Sequence, residues 1–205
     1  MITQPAHNIA PAMRANTFTL AQIRDVDALV TAVATTAAAV TYSGATLTGV
    51  LANPGPAILR APQFVTVTTD VSAGAYTLTA ITITGTLNGV AQTAVLTLTQ
   101  VNGGETLATT VPFDVVTSIA RLAMVDASGQ LEFGVRDLVF DKGLPCRQVR
   151  HGSAGLVEVK YFNGSSAAFY ESLPGLQGEK HIAVLEQVIA DGTSTSDPIT
   201  VYWGA

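Results

Sequence analysis

Charged side chains are scarce in this chain of 205 residues. Asp, Glu, Lys and Arg together make up 12% of it, about half the share that is usual in globular domains. The net charge is −5, and Lys and Arg form no cluster in the sequence. Because a surface that binds nucleic acid needs such a basic cluster, we expect no nucleic-acid partner.

Cysteine is almost absent, and long apolar runs are missing. The single Cys146 excludes an internal disulfide framework, and we expect it to be a structural thiol without chemistry of its own. Hydrophobic residues make up 48% of the chain, but no run reaches the roughly 18 apolar residues of a membrane span. Residues 1–18 also lack the charged and apolar regions of a secretory signal. We therefore expect no membrane association.

The histidines do not form a recognisable site. His7, His151 and His181 lack the paired spacing of metal ligands, and we interpret His181 as an edge residue of a strand. His151 precedes Gly152 and Ser153, which places a base beside a hydroxyl, but the nucleophile elbow and its strand-to-helix context are missing. No glycine-rich loop leads into a helix to bind phosphate. We predict no catalytic residues, no cofactor and no enzyme activity.

Two polar groupings near the C-terminus have simple explanations. Oxygen-bearing side chains recur at every second position of residues 191–197, as they do at the start of a calcium loop. The carboxylates expected at the third and fifth positions and the closing glutamate are missing, so we predict a solvated hairpin loop and no metal ligand. Glu158 and Lys160 share one strand face with Glu171 opposite, a pattern that favours a cross-strand ion pair.

Residues 79–98, TAITITGTLNGVAQTAVLTL, predict a β-hairpin without any charge. Ile81 and Ile83 alternate with threonines, which is the period of two of a half-buried strand. Asn88-Gly89 is typical of a two-residue type I′ turn, since both central residues of that turn need a positive φ. The face opposite the core carries Thr and Ala where a free domain would carry Lys and Glu.

The rest of the chain predicts a mainly β protein with a short helix near its start. Residues 1–17 contain Pro5 and Pro11 and predict an irregular arm. Apolar residues at helical spacing from Thr19 to Ala38 predict a helix, with Thr17 or Thr19 as its N-cap. We predict strands near 40–51, 63–69, 76–84, 91–100, 106–119 and 131–140, followed by a hairpin over 156–173 that turns at Asn163-Gly164 and by strands at 180–189 and 198–203.

These segments suggest three parts of an antiparallel β-sandwich or barrel protein. Residues 1–39 form the N-terminal arm and helix, residues 40–145 form the β-sandwich domain, and residues 146–205 form a smaller C-terminal β domain. Turn signals at short, regular spacing between the strands are typical of that class of fold.

Four segments of the central part carry a family resemblance. They are VTVTT at 65–69, ITGTLNG at 83–89, FDVVTSI at 113–119 and GVRDLVFDKGLP at 134–145. Their order resembles a family of structural β-proteins of tailed-bacteriophage virions, over about residues 40–145. The tail, which ends in DGTSTSDPITVYW, is more faintly similar to small β modules at the base of phage head spikes.

The resemblance implies a non-enzymatic structural role on the virion, after synthesis in the cytoplasm of the bacterial host. The role favoured is a head decoration or cementing protein that contacts the major capsid protein, and a tail or spike-base component is the second. Between residues 31 and 118 the chain has only four charged residues, Arg60, Asp70, Glu105 and Asp114. Because uncharged sheet edges invite pairing, we expect a homo-oligomer, with a trimer favoured.

Two other classes of function stay open at this point. A carbohydrate-binding adhesin module would use the aromatic residues near the C-terminus, and it would be favoured if Tyr161, Tyr170 and Trp203 lined an open groove. A capping role for Tyr202 and Trp203 on a terminal strand is the simpler interpretation. A hydrolase built around His151 and Ser153 ranks last.

Overall fold

The computed structural model describes residues 14–49, 51, 56–125, 127–140, 146–161, 169–189 and 194–203. Over these residues the regular secondary structure is almost entirely β-strand, with one short α-helix, α1, and one turn of 3-10 helix at Gly44–Thr46. The elements in chain order are β1 Arg14–Phe18, α1 Leu20–Ile23, β2 Asp25–Ala34, β3 Val40–Ser43, β4 Ala57–Thr69, β5 Ala80–Leu87, β6 Val90–Thr97, β7 Thr106–Ala108, β8 Phe113–Arg121, β9 Gln130–Val139, β10 Cys146–His151, β11 Gly155–Tyr161, β12 Phe169–Gly175, β13 Lys180–Ile189 and β14 Ile199–Trp203.

The strands form one hydrogen-bonded network in which every described pairing is antiparallel. Its main path runs β1-β14-β10-β13-β9-β4-β8-β5-β6. The remaining strands join at the sides: β2 pairs with β9, β3 with β8, β7 with β4, and β11 with both β12 and β13. The predicted mainly β, antiparallel fold class is confirmed.

The predicted helix from Thr19 to Ala38 is wrong beyond its first turn. Thr19 is indeed an N-cap, and it forms a capping box with Gln22, but α1 ends at Ile23 and β2 follows from Asp25 to Ala34. Strand β2 pairs irregularly with β9: Asp25 lies opposite Val135 and Val30 opposite Phe133, so five residues advance along β2 while two advance along β9. Such bulges break the period of two and gave the apolar residues an apparently helical spacing.

Glycine allows β2 to lie close to β9 at this irregular pairing. A Cβ added at Gly134 would lie 2.0 Å from the carbonyl oxygen of Asp25. No larger residue fits this position unless β2 moves away.

Other predicted boundaries also change. The arm predicted for residues 1–17 ends earlier, since Arg14–Phe18 is strand β1 and pairs in register with β14; residues 1–13 lie outside the described residues. The strand predicted at 106–119 is two strands, β7 and β8, and the sequence did not predict β10. The predicted Asn163-Gly164 turn also lies outside the described residues.

The buried side chains form two clusters. The first cluster fills the space between the central strands and includes Val65, Val67, Ile83, Phe113 and Phe133. The second contains residues of the C-terminal strands, such as Val149, Val159 and Trp203. It also includes Phe18, Ala61 and Leu138 from earlier strands and Ile23 from α1. The division into domains at 39/40 and 145/146 stays a prediction, and the second core draws on residues from both sides of the later boundary.

Candidate assembly surface

The β5–β6 hairpin is regular along its whole length. Its strands pair residue by residue from Ala80 with Thr97 to Leu87 with Val90, without a register shift. The turn residues Asn88 and Gly89 have φ values of 53° and 77°, so the predicted type I′ turn is confirmed. The hairpin continues the sheet beyond β8, which pairs with the other edge of β5.

The two faces of the hairpin differ as the alternation of the sequence predicts. Ile81, Ile83, Ala94 and Leu96 are buried in the first core. The residues between them on β6, such as Val95, are exposed. Because those outward residues are Thr, Ala and Val, this face has hydroxyl and methyl groups but no charge.

The carboxylates close to this hairpin accept hydrogen bonds from loops of the same chain. Asp114 accepts hydrogen bonds from the backbone N–H of Asn88 at 2.6 Å and from the Thr86 hydroxyl at 2.8 Å. Glu105 accepts from the backbone N–H groups of Thr99 and Gln100 at 2.8 and 3.0 Å. Their charges therefore stabilise turns of the same chain.

Asp70 has a similar role in the loop that follows β4. Its carboxylate accepts hydrogen bonds from the Tyr76 hydroxyl, from the Ser72 hydroxyl at 2.8 Å and from the Gln130 backbone N–H at 2.7 Å. The bond from Tyr76 is the main reason why the pKa of Asp70 lies below its ordinary value. This cluster ties the loop after β4 to the start of β9.

Exposed apolar side chains concentrate where charge is missing. Residues 71–104 contain no charged side chain. Of the eleven large apolar side chains that are exposed in the described part of the chain, five lie in that span: Val71, Leu78, Val90, Val95 and Val101. Val90 and Val95 are 65% and 58% exposed, and both belong to β6. We call residues 71–104 the uncharged region.

Strand β6 also ends the sheet. Among the described strands it pairs with β5 alone. Edges of this kind are usually protected by a lysine, a proline, a bulge or a short length. Strand β6 has eight residues, VAQTAVLT, and none of those features.

The structure does not bring His151 and Ser153 together as a base and a nucleophile. The Ser153 hydroxyl accepts a hydrogen bond from the backbone N–H of Asp197 at 2.9 Å. The His151 ring is fully buried, neither of its nitrogens has a hydrogen-bond partner, and its centroid lies 5.1 Å from that of His181. Burial is the main cause that lowers the pKa of His151, and the neighbouring His181 adds to it. His7 lies outside the described residues.

The described part of the 191–197 loop is bound to the protein itself. The Ser194 hydroxyl donates to the carbonyl oxygen of Ile189 at 2.6 Å and accepts from the Glu158 backbone N–H at 2.8 Å. The Thr195 hydroxyl accepts from the Leu156 backbone N–H at 2.8 Å. Residues 191–193 lie outside the described part. Elsewhere in the described chain no group of three or more His, Cys, Asp or Glu side chains could hold a metal ion.

The predicted ion pair of Lys160 has a different partner. Its ammonium group lies 2.9 Å from the Glu186 carboxylate on β13, whereas the sequence suggested Glu171 on β12, whose side chain lies outside the described part. Strand β11 pairs with both β12 and β13. The sequence had therefore identified only one of the two strands that pair with β11.

Trp203 is not part of an open sugar-stacking platform. The side chain is only 3% exposed, and its ring centroid lies 5.9 Å from that of Phe140. The guanidinium of Arg14 lies 5.3 Å from the centroid of the Trp203 ring. Tyr202, the neighbouring residue, has the Lys180 ammonium 5.8 Å from its ring. These contacts favour the capping interpretation of the C-terminal aromatics over a glycan groove.

Cys146 is buried and unpaired, and burial raises the pKa of its thiol to about 12. A thiol of this kind is inert, which agrees with the structural role that the sequence suggested. No helix in the described part of the chain has the length and apolar character needed to cross a bilayer.

Comparison of the chain with known protein families, with curated proteins and with solved structures found no match.

Proposed function

We propose that this protein is a non-enzymatic structural subunit of a bacteriophage virion that assembles as a homo-oligomer through its uncharged region. The main support for assembly as a homo-oligomer is the exposure of Val90 and Val95 on an unprotected sheet edge, within a span of the sequence that has no charge. The virion part is supported by the resemblance of residues 65–145 to phage structural β-proteins.

A net charge of −5 makes two free copies of the chain repel each other. The uncharged region is the part of the surface where contact costs the least electrostatic energy. Interface cores of stable assemblies are likewise depleted of charged residues. The carboxylates of Asp70, Glu105 and Asp114 lie outside that region and support its turns by accepting hydrogen bonds from them.

On the particle, the favoured position is the head surface, where the protein would contact the major capsid protein as a decoration or cementing subunit. A tail or spike-base position is the alternative. Both positions need the same property, a stable β scaffold that exposes neutral contact surface.

The virion role is tested by fractionating a lysate of the phage that encodes the chain. An antibody raised against the purified protein should detect it in density-purified particles, and cryo-EM of those particles should show where it lies. Detection only in the soluble fraction would overturn the virion role. The major capsid protein serves as the internal control for recovery of particles.

The assembly part is tested separately by light scattering of the purified protein at micromolar concentration. We expect a mass that is a multiple of the 21.2 kDa chain, and a trimer is the number favoured from the sequence. A monomer at all concentrations up to about 100 μM would contradict a homo-oligomer, since stable interfaces persist well below that concentration.

A further inference from the structure

We propose that the outer edge of β6 binds the same edge of a second copy of this chain, strand against strand and antiparallel. The proposal rests on the homo-oligomer part of the proposed function and specifies its contact. It does not depend on the virion role.

The pairing of β5 with β6 determines which backbone groups of β6 are available. In a two-residue hairpin the residues that flank the turn form a hydrogen-bonded pair, and such pairs alternate with non-bonded ones along the ladder. Leu87 and Val90 flank the turn, so the N–H and C=O groups of Val90 and of every second residue after it face β5. The corresponding groups of Ala91, Thr93, Val95 and Thr97 therefore point away from β5, toward the side where no described strand lies.

A single register uses all four of these outward residues in a symmetric pair. If Ala94 of one copy lies opposite Ala94 of the other, Thr93 pairs with Val95, and Ala91 pairs with Thr97, in both directions. This register forms about eight ladder hydrogen bonds. A shift by two residues in either direction leaves an outward residue of each copy unpaired.

A second copy is the partner that the chemistry of the edge favours. The strand is uncharged, so self-pairing places no like charges opposite each other. On the exposed face Val95 of one copy lies beside Thr93 of the other, a contact of two β-branched side chains that suits a pleated sheet. On the opposite face the small Ala94 side chains meet at the symmetry axis and leave room for close approach.

The contact is isologous, because the same strand is used by both copies. It predicts a dimer, or an even-numbered assembly if another surface also contributes, in place of the trimer expected from the sequence. An edge of eight residues is a small interface, so we expect dissociation in the micromolar range.

Cysteine cross-linking tests the register directly. A mixture of Thr93→Cys and Val95→Cys proteins should give a disulfide-linked dimer under mild oxidation, because these two exposed positions lie opposite each other in the proposed register, about 5.5 Å apart between Cα atoms. A mixture of Val95→Cys and Thr97→Cys proteins is the matched control, since those two positions would lie about 13 Å apart along the strands. The native Cys146 is buried and should not react. Equal cross-linking of both mixtures, or none of the first, would overturn the proposed pairing.

A backbone substitution tests the edge without relying on cross-linking. Thr93→Pro removes an outward N–H group while keeping the hydrogen bonds between β5 and β6, and proline is tolerated on edge strands. Sedimentation should show that Thr93→Pro raises the dissociation constant of the dimer by about tenfold or more, whereas Thr93→Ala, which keeps the N–H group, should dimerise as the unchanged protein does. Circular dichroism confirms the fold of each variant.

The outcomes separate this proposal from the function it rests on. Oligomers that form with Thr93→Pro as well as with Thr93→Ala would refute the β6 contact and leave the homo-oligomer in place. A monomeric protein would refute both, and particle fractionation would still decide the virion role.

Discussion

His151 has an unusual environment for an ionisable side chain. Its imidazole is fully buried, its two nitrogens have no hydrogen-bond partner among the described residues, and the ring of His181 lies beside it. The described charged groups near it are few: Glu179 favours protonation, and Lys180 and Arg150, which flank the site on β13 and β10, carry positive charge. A proton on His151 would therefore be buried beside a second imidazole without an acceptor.

This environment predicts acid sensitivity of the fold. The pKa of His151 is lowered in the folded state, so below the ordinary histidine pKa of about 6.5 the unfolded chain binds a proton that the folded chain does not. The free energy of unfolding should fall as the pH drops from 7 to 5.

His151→Gln removes the titrating group and should make the free energy of unfolding less dependent on pH over that range, whatever the variant costs at pH 7. Urea titrations of both proteins at several pH values provide the comparison. If the free energy of unfolding depends on pH equally in both proteins, His151 is not the source of the acid sensitivity.

The β5–β6 hairpin is the element whose register the turn determines. Gly89 has a positive φ and open space around its Cα, since a Cβ added there would meet no atom within 4 Å. A substitution at this position therefore tests backbone conformation alone, without a steric clash against the rest of the protein.

Gly89→Val should lower the free energy of unfolding by about 1–2 kcal/mol, because a β-branched residue is strained at positive φ. Gly89→Asn is the matched control, as asparagine tolerates this conformation, and its loss should be much smaller. Thermal unfolding measures both. If the two variants melt at the same temperature as the unchanged protein, the turn does not constrain the hairpin.

The elements that the sequence predicted well are those with local signals. The 80–97 hairpin has strict alternation and a turn dipeptide, and its structure follows both. Strand β2 was mistaken for helix because its bulged pairing with β9 depends on Gly134, which is about a hundred residues further along the chain. No local pattern in residues 25–34 contains that information.

The candidate surface was only partly predictable for the same reason. The lack of charge in residues 71–104 is visible in the sequence. The hydrogen bond of Asp114 to the hairpin turn, the position of β6 at the sheet edge and the contact of His151 with His181 depend on strand order. Strand order is set by pairings distant in sequence. The sequence likewise does not distinguish a buried tryptophan from one that lines an open groove.

For the whole molecule, the two buried clusters share their long strands. Strand β4 provides Ala61 to the second cluster and Val65 to the first, and β9 provides Leu138 to the second and Phe133 to the first. A chain that ends at residue 145 would therefore keep its central strands and expose the apolar side chains that the C-terminal strands cover.

We expect the 1–145 fragment to bind a hydrophobic dye and to unfold without a sharp transition, since loss of a core of this kind costs several kcal/mol. The full chain should melt in a single transition, which calorimetry can measure. A fragment that melts as sharply as the full chain would show that residues 146–205 are an independent domain, as the sequence suggested.

The strands that serve both clusters also limit how the gene can change. A C-terminal segment taken from another protein would have to supply side chains that fit Ala61 and Leu138, which belong to the part of this chain before residue 146. Recombination at residue 145 would separate side chains that pack against one another in the second cluster. We therefore infer that residues 146–205 are inherited with the rest of the chain.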